Sequence, residues 1–163
     1  MKYAHLIKLT VFSYESENSK IILGALLRFF PFNLEDNKVT LKRSIASGFN
    51  ERKIGIFEII LTKNSLIDQF LRNLLSNLDE KQQNQILQQA ESRLDKNIDF
   101  FLRFDKDSWI NEKRLVLTDS GKCYHIRISI AAFPKKRDVA LNVIKAIFPE
   151  KLKNKVSVIT DSS

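Results

Sequence analysis

Two segments far apart in the chain repeat one pattern, and any fold must accommodate both. HLIKLTV, residues 5–11, and HIRISI, residues 125–130, alternate apolar with polar side chains at the two-residue period of a strand with one buried face. Ile7, Leu9 and Val11 turn inward with Lys8 and Thr10 outward; Ile126, Ile128 and Ile130 turn inward with Arg127 and Ser129 outward. Each strand leads into a helical pattern. Residues 18–30 place Ile22, Ala25, Leu26 and Phe29 on one face, and residues 136–148 do the same with Val139, Ala140, Val143, Ile144 and Ile147. Both patterns stop at Phe30-Pro31 and Phe148-Pro149, because proline disfavours helical geometry in the residue before it. The chain thus opens and closes with one strand-helix unit used twice. His5 and His125 head the two strands at matching places, which favours a structural role over a catalytic pair.

Between these units, residues 38–47 alternate, residues 48–53 turn the chain, and IGIFEIILT reads as a more buried strand, which makes 38–62 a long hairpin. A helix follows, with Ser65 and Asp68 as a capping-box variant and Ile67, Phe70, Leu71, Leu74, Leu75 and Leu78 at helical spacing. Asp79 with Gln82 starts another helix near Asn77, striped by Ile86, Leu87, Ala90 and Leu94. IDFFLRFD is a strand with Ile98, Phe100, Leu102 and Phe104 inward and Phe101, Arg103 and Asp105 outward, and RLVLTD reads as a further short strand. Strands with one-sided helices predict an α+β fold: a largely antiparallel sheet with helices packed on one face, in a single domain over residues 1–163.

Several classes of function are disfavoured. No window approaches the length of a membrane span, and the N-terminus has no unbroken apolar run; the reading is a cytoplasmic protein with no membrane partner. Cys123 stands alone, so there is no intramolecular disulfide, and two histidines are too few for a Cys/His zinc site. Cys123 reads as a core or edge thiol, Trp109 as a core residue, and Asp105, Asp107 and Asp119 as turn acids or ion-pair partners. No Walker loop, dinucleotide fingerprint, HExxH or GxSxG occurs, so neither an enzyme nor a cofactor is expected.

Charge points elsewhere. The net charge of +8 arises from 27 basic and 19 acidic residues, and seven basic against two acidic residues fall between positions 135 and 155. Clustered cations favour a polyanionic partner; the competing account is a solvated lysine-rich surface. The outward positions Lys8, Thr10, Thr40, Lys42, Ser44, Phe101, Arg103, Arg127 and Ser129 form a basic, hydroxylated face with an aromatic ring, which suits RNA. Lys135, Lys136 and Arg137 stand where a helix begins, an end that already carries partial positive charge, so an anion there would relieve them.

The block FFLRFDKDSW, residues 100–109, followed by HIRISIAAFPKKRDVALNVIKAIF, resembles the archaeal RNA-binding proteins predicted to be exosome subunits, in element order over about the whole chain. Its most specific element is Arg103-Phe104-Asp105-Lys106, matching an Arg-x-Asp-Lys block. The hairpin tip departs from the family's Gly-x-x-Gly-Asn-Pro-Ile pattern, keeping Gly48, Asn50 and Ile54 but lacking the second glycine and the proline. The resemblance implies RNA binding and a fold like that of the ribosomal protein that cradles 5S RNA. Together these readings give a non-catalytic RNA-binding protein, exosome- or ribosome-associated. Its expected contacts are Lys8, Arg103, Lys106 and Arg127 on the sheet, Arg43, Asn50, Arg52 and Lys53 at the hairpin tip, and Lys135, Lys136 and Arg137 at the last helix. The alternative is a scaffold subunit, a homodimer or a component of a protein complex, whose charge serves solubility.

Overall fold

A computed structural model describes residues 1–48, 50 and 52–149. The cations Lys151, Lys153 and Lys155 of the C-terminal basic run lie outside the described residues.

The strands are β1 (Ala4–Tyr14), β2 (Leu41–Ser47), β3 (Lys53–Leu61), β4 (Asp99–Asp105) and β5 (Cys123–Ile130). They form one sheet in the order β2-β3-β1-β5-β4, and every neighbouring pair is antiparallel. The helices are α1 (Ser19–Leu27), α2 (Asn64–Ser76), α3 (Glu80–Gln88), α4 (Ala90–Arg93), α5 (Lys106–Glu112) and α6 (Arg137–Ile147). The apolar stripes of α1, α2, α3 and α6 join the inward positions of β1, β3, β4 and β5 in one buried cluster. The fold is α+β with the helices on one face, as the alternation requires.

The duplicated units lie side by side at the middle of the sheet. β1 pairs with β5 so that Lys8 stands directly opposite Arg127, and Ile7 opposite Ile128. Aligned on their inward residues, Ile7 with Ile126 and Leu9 with Ile128, the two units match Lys8 with Arg127 and fold back on each other through that pair, and in that alignment His5 and His125 are one residue out of step. Burial of Ile7, Leu9, Ile126 and Ile128 drives the pairing, each contributing roughly 1.5–3 kcal/mol. The two cations are left adjacent on the opposite face, an arrangement that opposes pairing.

Two buried polar tips tie α1 to the sheet and α5. The Tyr124 hydroxyl donates to Ile22 O at 2.9 Å, and Trp109 Nε1 donates to Ala25 O at 2.7 Å, both beneath Phe29. Trp109 is therefore a core residue. Burial drives the Tyr124 phenol far above its ordinary range.

Two local expectations are corrected. The N-cap of α2 is Lys63, with no side-chain hydrogen bond, so Ser65 and Asp68 form no capping box. Asp79 and Gln82 do form one, at 2.7 and 2.9 Å. RLVLTD contributes a single bridge, Leu117 to Phe104, rather than a strand. Ahead of it the chain forms α5, because the Asp105 carboxylate accepts from Ser108 N at 2.9 Å and Ser108 Oγ at 2.7 Å and so caps a helix start. Those two bonds hold the Asp105 carboxyl below its ordinary range.

Candidate nucleic-acid interface

The face of the sheet turned away from the helices is built in cross-strand rows. One row runs Lys42, Glu58, Thr10, His125, Arg103; the next runs Ile60, Lys8, Arg127, Phe101. Lys8, Arg103 and Arg127 are thus brought together as the alternation requires.

The face also carries carboxylates. Glu58, in a strand read as more buried, bridges Lys8 at 3.1 Å. Asp99 accepts from Ser129 Oγ at 2.7 Å, which occupies a hydroxyl expected to face solvent. Asp105 is spent on capping α5. Arg103 Nη1 donates to Asp119 O at 3.3 Å. Arg127 differs: its Nε is buried and has no hydrogen-bond partner among the described residues.

Between these rows and Phe12 lies an open groove of about 330 Å³, lined by Lys8, Thr10, Val11, Phe12, Phe101, Arg103, Gly121, Cys123, His125 and Arg127. Phe12 is 40% exposed, and the rings of Phe101 and His125 lie 5.4 Å apart at 37°. Burial, with the charges of Arg103, Lys8 and Arg127 around it, holds the His125 imidazole below its ordinary value. Burial raises the Cys123 thiol, which keeps it protonated. Arg93, at the end of α4, rims the β4 side: it donates to Gln89 Oε1 and, at 3.4 Å, to Phe101 O.

Phe12 and His125 were legible, since they share the parity of Lys8 and Arg127 on their own strands. Arg93 carried no such signal; only the fold brings α4 over β4.

Four expected contacts change place. Lys106 is 1% exposed, so it is no RNA contact: its Nζ donates to Phe12 O at 2.7 Å and bridges Glu17 at 3.1 Å, 5.3 Å from the centre of the Tyr14 ring. Arg43 is mid-strand, opposite Phe57, with its guanidinium 5.8 Å from the centre of that ring, on the helix side of the sheet rather than at the hairpin tip. Lys53 shares that parity, beside Asn50 and Arg52; Asn50 has φ 62°, a left-handed conformation asparagine tolerates. Arg137 donates to Glu91 O and, at 3.0 Å, to Leu94 O, so its charge serves carbonyls at α4 rather than standing free. Lys135 and Lys136 are exposed, and Lys136 is the N-cap of α6 with no side-chain capping bond.

The expected contacts therefore form three patches, not one. Tyr14, at one end of β1, pairs with Ile54 next to the hairpin tip, while Ala4, at the other end, pairs with Ile130 just before the α6 entry. The 11 residues of β1 separate those ends by roughly 35 Å. Asp107 bridges Lys122 at 2.9 Å, an ion-pair partner as its setting suggested. Among the described residues no three His, Cys, Asp or Glu side chains converge as a metal-binding group, and no helix is long and apolar enough to cross a membrane.

A family model described as RNA binding matches residues 6–131 of the 163. The chain is 24% identical over 143 residues to the RNA-binding protein PAB1135 of Pyrococcus abyssi, covering 87% of this chain and 92% of that one. The crystal structure of protein AF2318 from Archaeglobus fulgidus superposes with a TM-score of 0.78 at 24% identity, covering 88% of this chain and 99% of that one. Mth689, a DUF54 protein from Methanothermobacter thermautotrophicus, superposes with a TM-score of 0.72 at 24% identity, covering 90% of this chain and 98% of that one. These two structures share the fold.

Proposed function

The chain belongs to this RNA-binding family, and on that premise we propose that it is a non-catalytic RNA-binding protein that contacts RNA through the open sheet face, continued onto the β2–β3 hairpin. The observation that carries the reading is the pairing of Lys8 with Arg127 at the centre of a face that none of the described helices covers. Glu58 already bridges Lys8, so Arg127, whose buried Nε has no partner among the described residues, is the cation of the pair left for a phosphate. Lys42 and Arg103 end the neighbouring row at the two edges of the sheet, and Asn50 and Arg52, with Lys53 on the helix side, lie past the end of β1 at the hairpin tip. Lys135 and Lys136 form a separate patch for a more distant stretch of the same RNA. In this reading the protein works as an accessory factor of the exosome or ribosome.

The test is the salt dependence of RNA binding, followed by anisotropy of a labelled RNA. Log affinity falls against log salt by about 0.7 to 0.9 per phosphate neutralised. Replacing Arg103 and Arg127 by Ala lowers that slope by roughly 1 to 2; an unchanged slope refutes the face as the contact surface. The pair Lys135→Ala and Lys136→Ala tests the α6 patch in the same way.

One observation favours a second reading as a scaffold subunit. Ile45 is 72% exposed on the helix side of the hairpin, where a protein partner would cover it. In that case Ile45→Ser disrupts a complex seen by sedimentation while leaving RNA affinity unchanged.

A further inference from the structure

We propose that the groove beside Phe12 takes a single unpaired nucleobase, so that the protein selects RNA carrying a bulged or single-stranded nucleotide over continuous duplex. The inference rests on the RNA-binding reading and adds what the face selects.

Size comes first. At about 330 Å³ the groove lies at the small end of the range for ligand sites, roughly 300–1,000 Å³, which suits one planar heterocycle and not an oligonucleotide. Its walls suit a ring: Phe12 stands 40% exposed on one strand, and Phe101 lies against His125 on two others. A solvated phosphate-binding surface has no use for these rings, since phosphates of a duplex meet only side chains that project from the face.

Polar chemistry completes the fit. Burial and the surrounding Arg103, Lys8 and Arg127 keep His125 neutral at pH 7, so one ring nitrogen donates while the other accepts, which is what the edge of an unpaired base requires. Arg127, with its buried Nε lacking a partner among the described residues, lines the same groove. A base seated on the rings brings its own phosphate to the rim where Arg127 and Lys8 stand. The Cys123 thiol stays protonated and adds only apolar surface.

The test uses three RNAs of equal length: a continuous duplex, the duplex with one bulged 2-aminopurine, and the duplex with an abasic residue in the bulge. The bulged RNA binds about 5- to 150-fold tighter than the other two, the range expected for one base stacked on aromatic rings. Its 2-aminopurine fluorescence is quenched on binding. Phe12→Ala and, separately, Phe101→Ala remove the preference for the bulged RNA over the abasic one. Equal affinity for the bulged and abasic RNAs overturns the inference while the RNA-binding reading stands. Failure to bind any of the three overturns both.

Discussion

Replacing Lys106 by Met separates a structural cation from an RNA contact, two roles that sequence alone does not distinguish. The substitution keeps the apolar stem and removes the ammonium. Phe12 O then loses its donor at 2.7 Å, and Glu17 loses an ion pair at 3.1 Å. Breaking a buried pair from one side costs about 3–5 kcal/mol, and an unsatisfied carbonyl about 1–3. Glu17 is 20% exposed and still accepts from Tyr14 N at 3.0 Å, so water and the backbone recover part of its loss. The expected destabilisation is therefore about 2–3 kcal/mol, read from urea unfolding followed by circular dichroism. Adding Glu17→Gln removes the stranded charge and restores roughly half. RNA affinity, measured where the variant is fully folded, stays within about twofold, because an ammonium 1% exposed meets no phosphate. A loss below about 0.5 kcal/mol, or a double variant as unstable as the sum of the singles, refutes the pairing argument. A tenfold loss of RNA affinity in folded Lys106→Met returns Lys106 to the interface.

Two further outcomes follow from local geometry. Asp79→Ala removes a complete capping box and costs about 1 kcal/mol by urea unfolding, whereas Ser65→Ala, at a position that caps nothing, changes stability by less than about 0.5. His125 has a folded pKa below its unfolded value near 6.5, so as pH falls through 6.5 the unfolded chain takes up the proton first and stability drops. Above that pH the group contributes no slope. Stability of the wild type and of His125→Gln, measured from pH 7.5 to 5, therefore diverges only below about 6.5, and parallel curves refute the assignment.

The alternation that placed Lys8, Arg103 and Arg127 on one face was legible because strand parity is local and β1, β4 and β5 each bury one side. The same rule put Phe12 and His125 there. Glu58 was harder to see: Ile-rich β3 hides its parity, since Ile56 and Ile60 occupy the open face as well. Arg43 has the inward parity of β2, yet it and Ile45 two residues on are exposed there, so a charge sits on the helix side. The partners of Lys106 and Arg137 were not legible because their acceptors are remote in sequence, Phe12 O and Glu17 for one and the carbonyls of Glu91 and Leu94 for the other. No spacing rule joins a cation to a carbonyl 94 residues away. The start of α5 was readable in principle, as Asp105 followed three residues later by Ser108.

The row from Lys42 to Arg103 crosses all five strands, and four strand spacings make it about 19 Å long. It is a ruler fixed by backbone hydrogen bonds rather than by flexible loops. A stacked nucleic-acid strand advances roughly 3.4 Å per phosphate, so about six phosphates separate the two terminal cations. An oligonucleotide shorter than that engages one end of the row and leaves the other in solvent. Affinity against length should climb up to about six nucleotides and flatten beyond, and a steady climb past ten would mean that the strand runs along the hairpin instead of across the sheet.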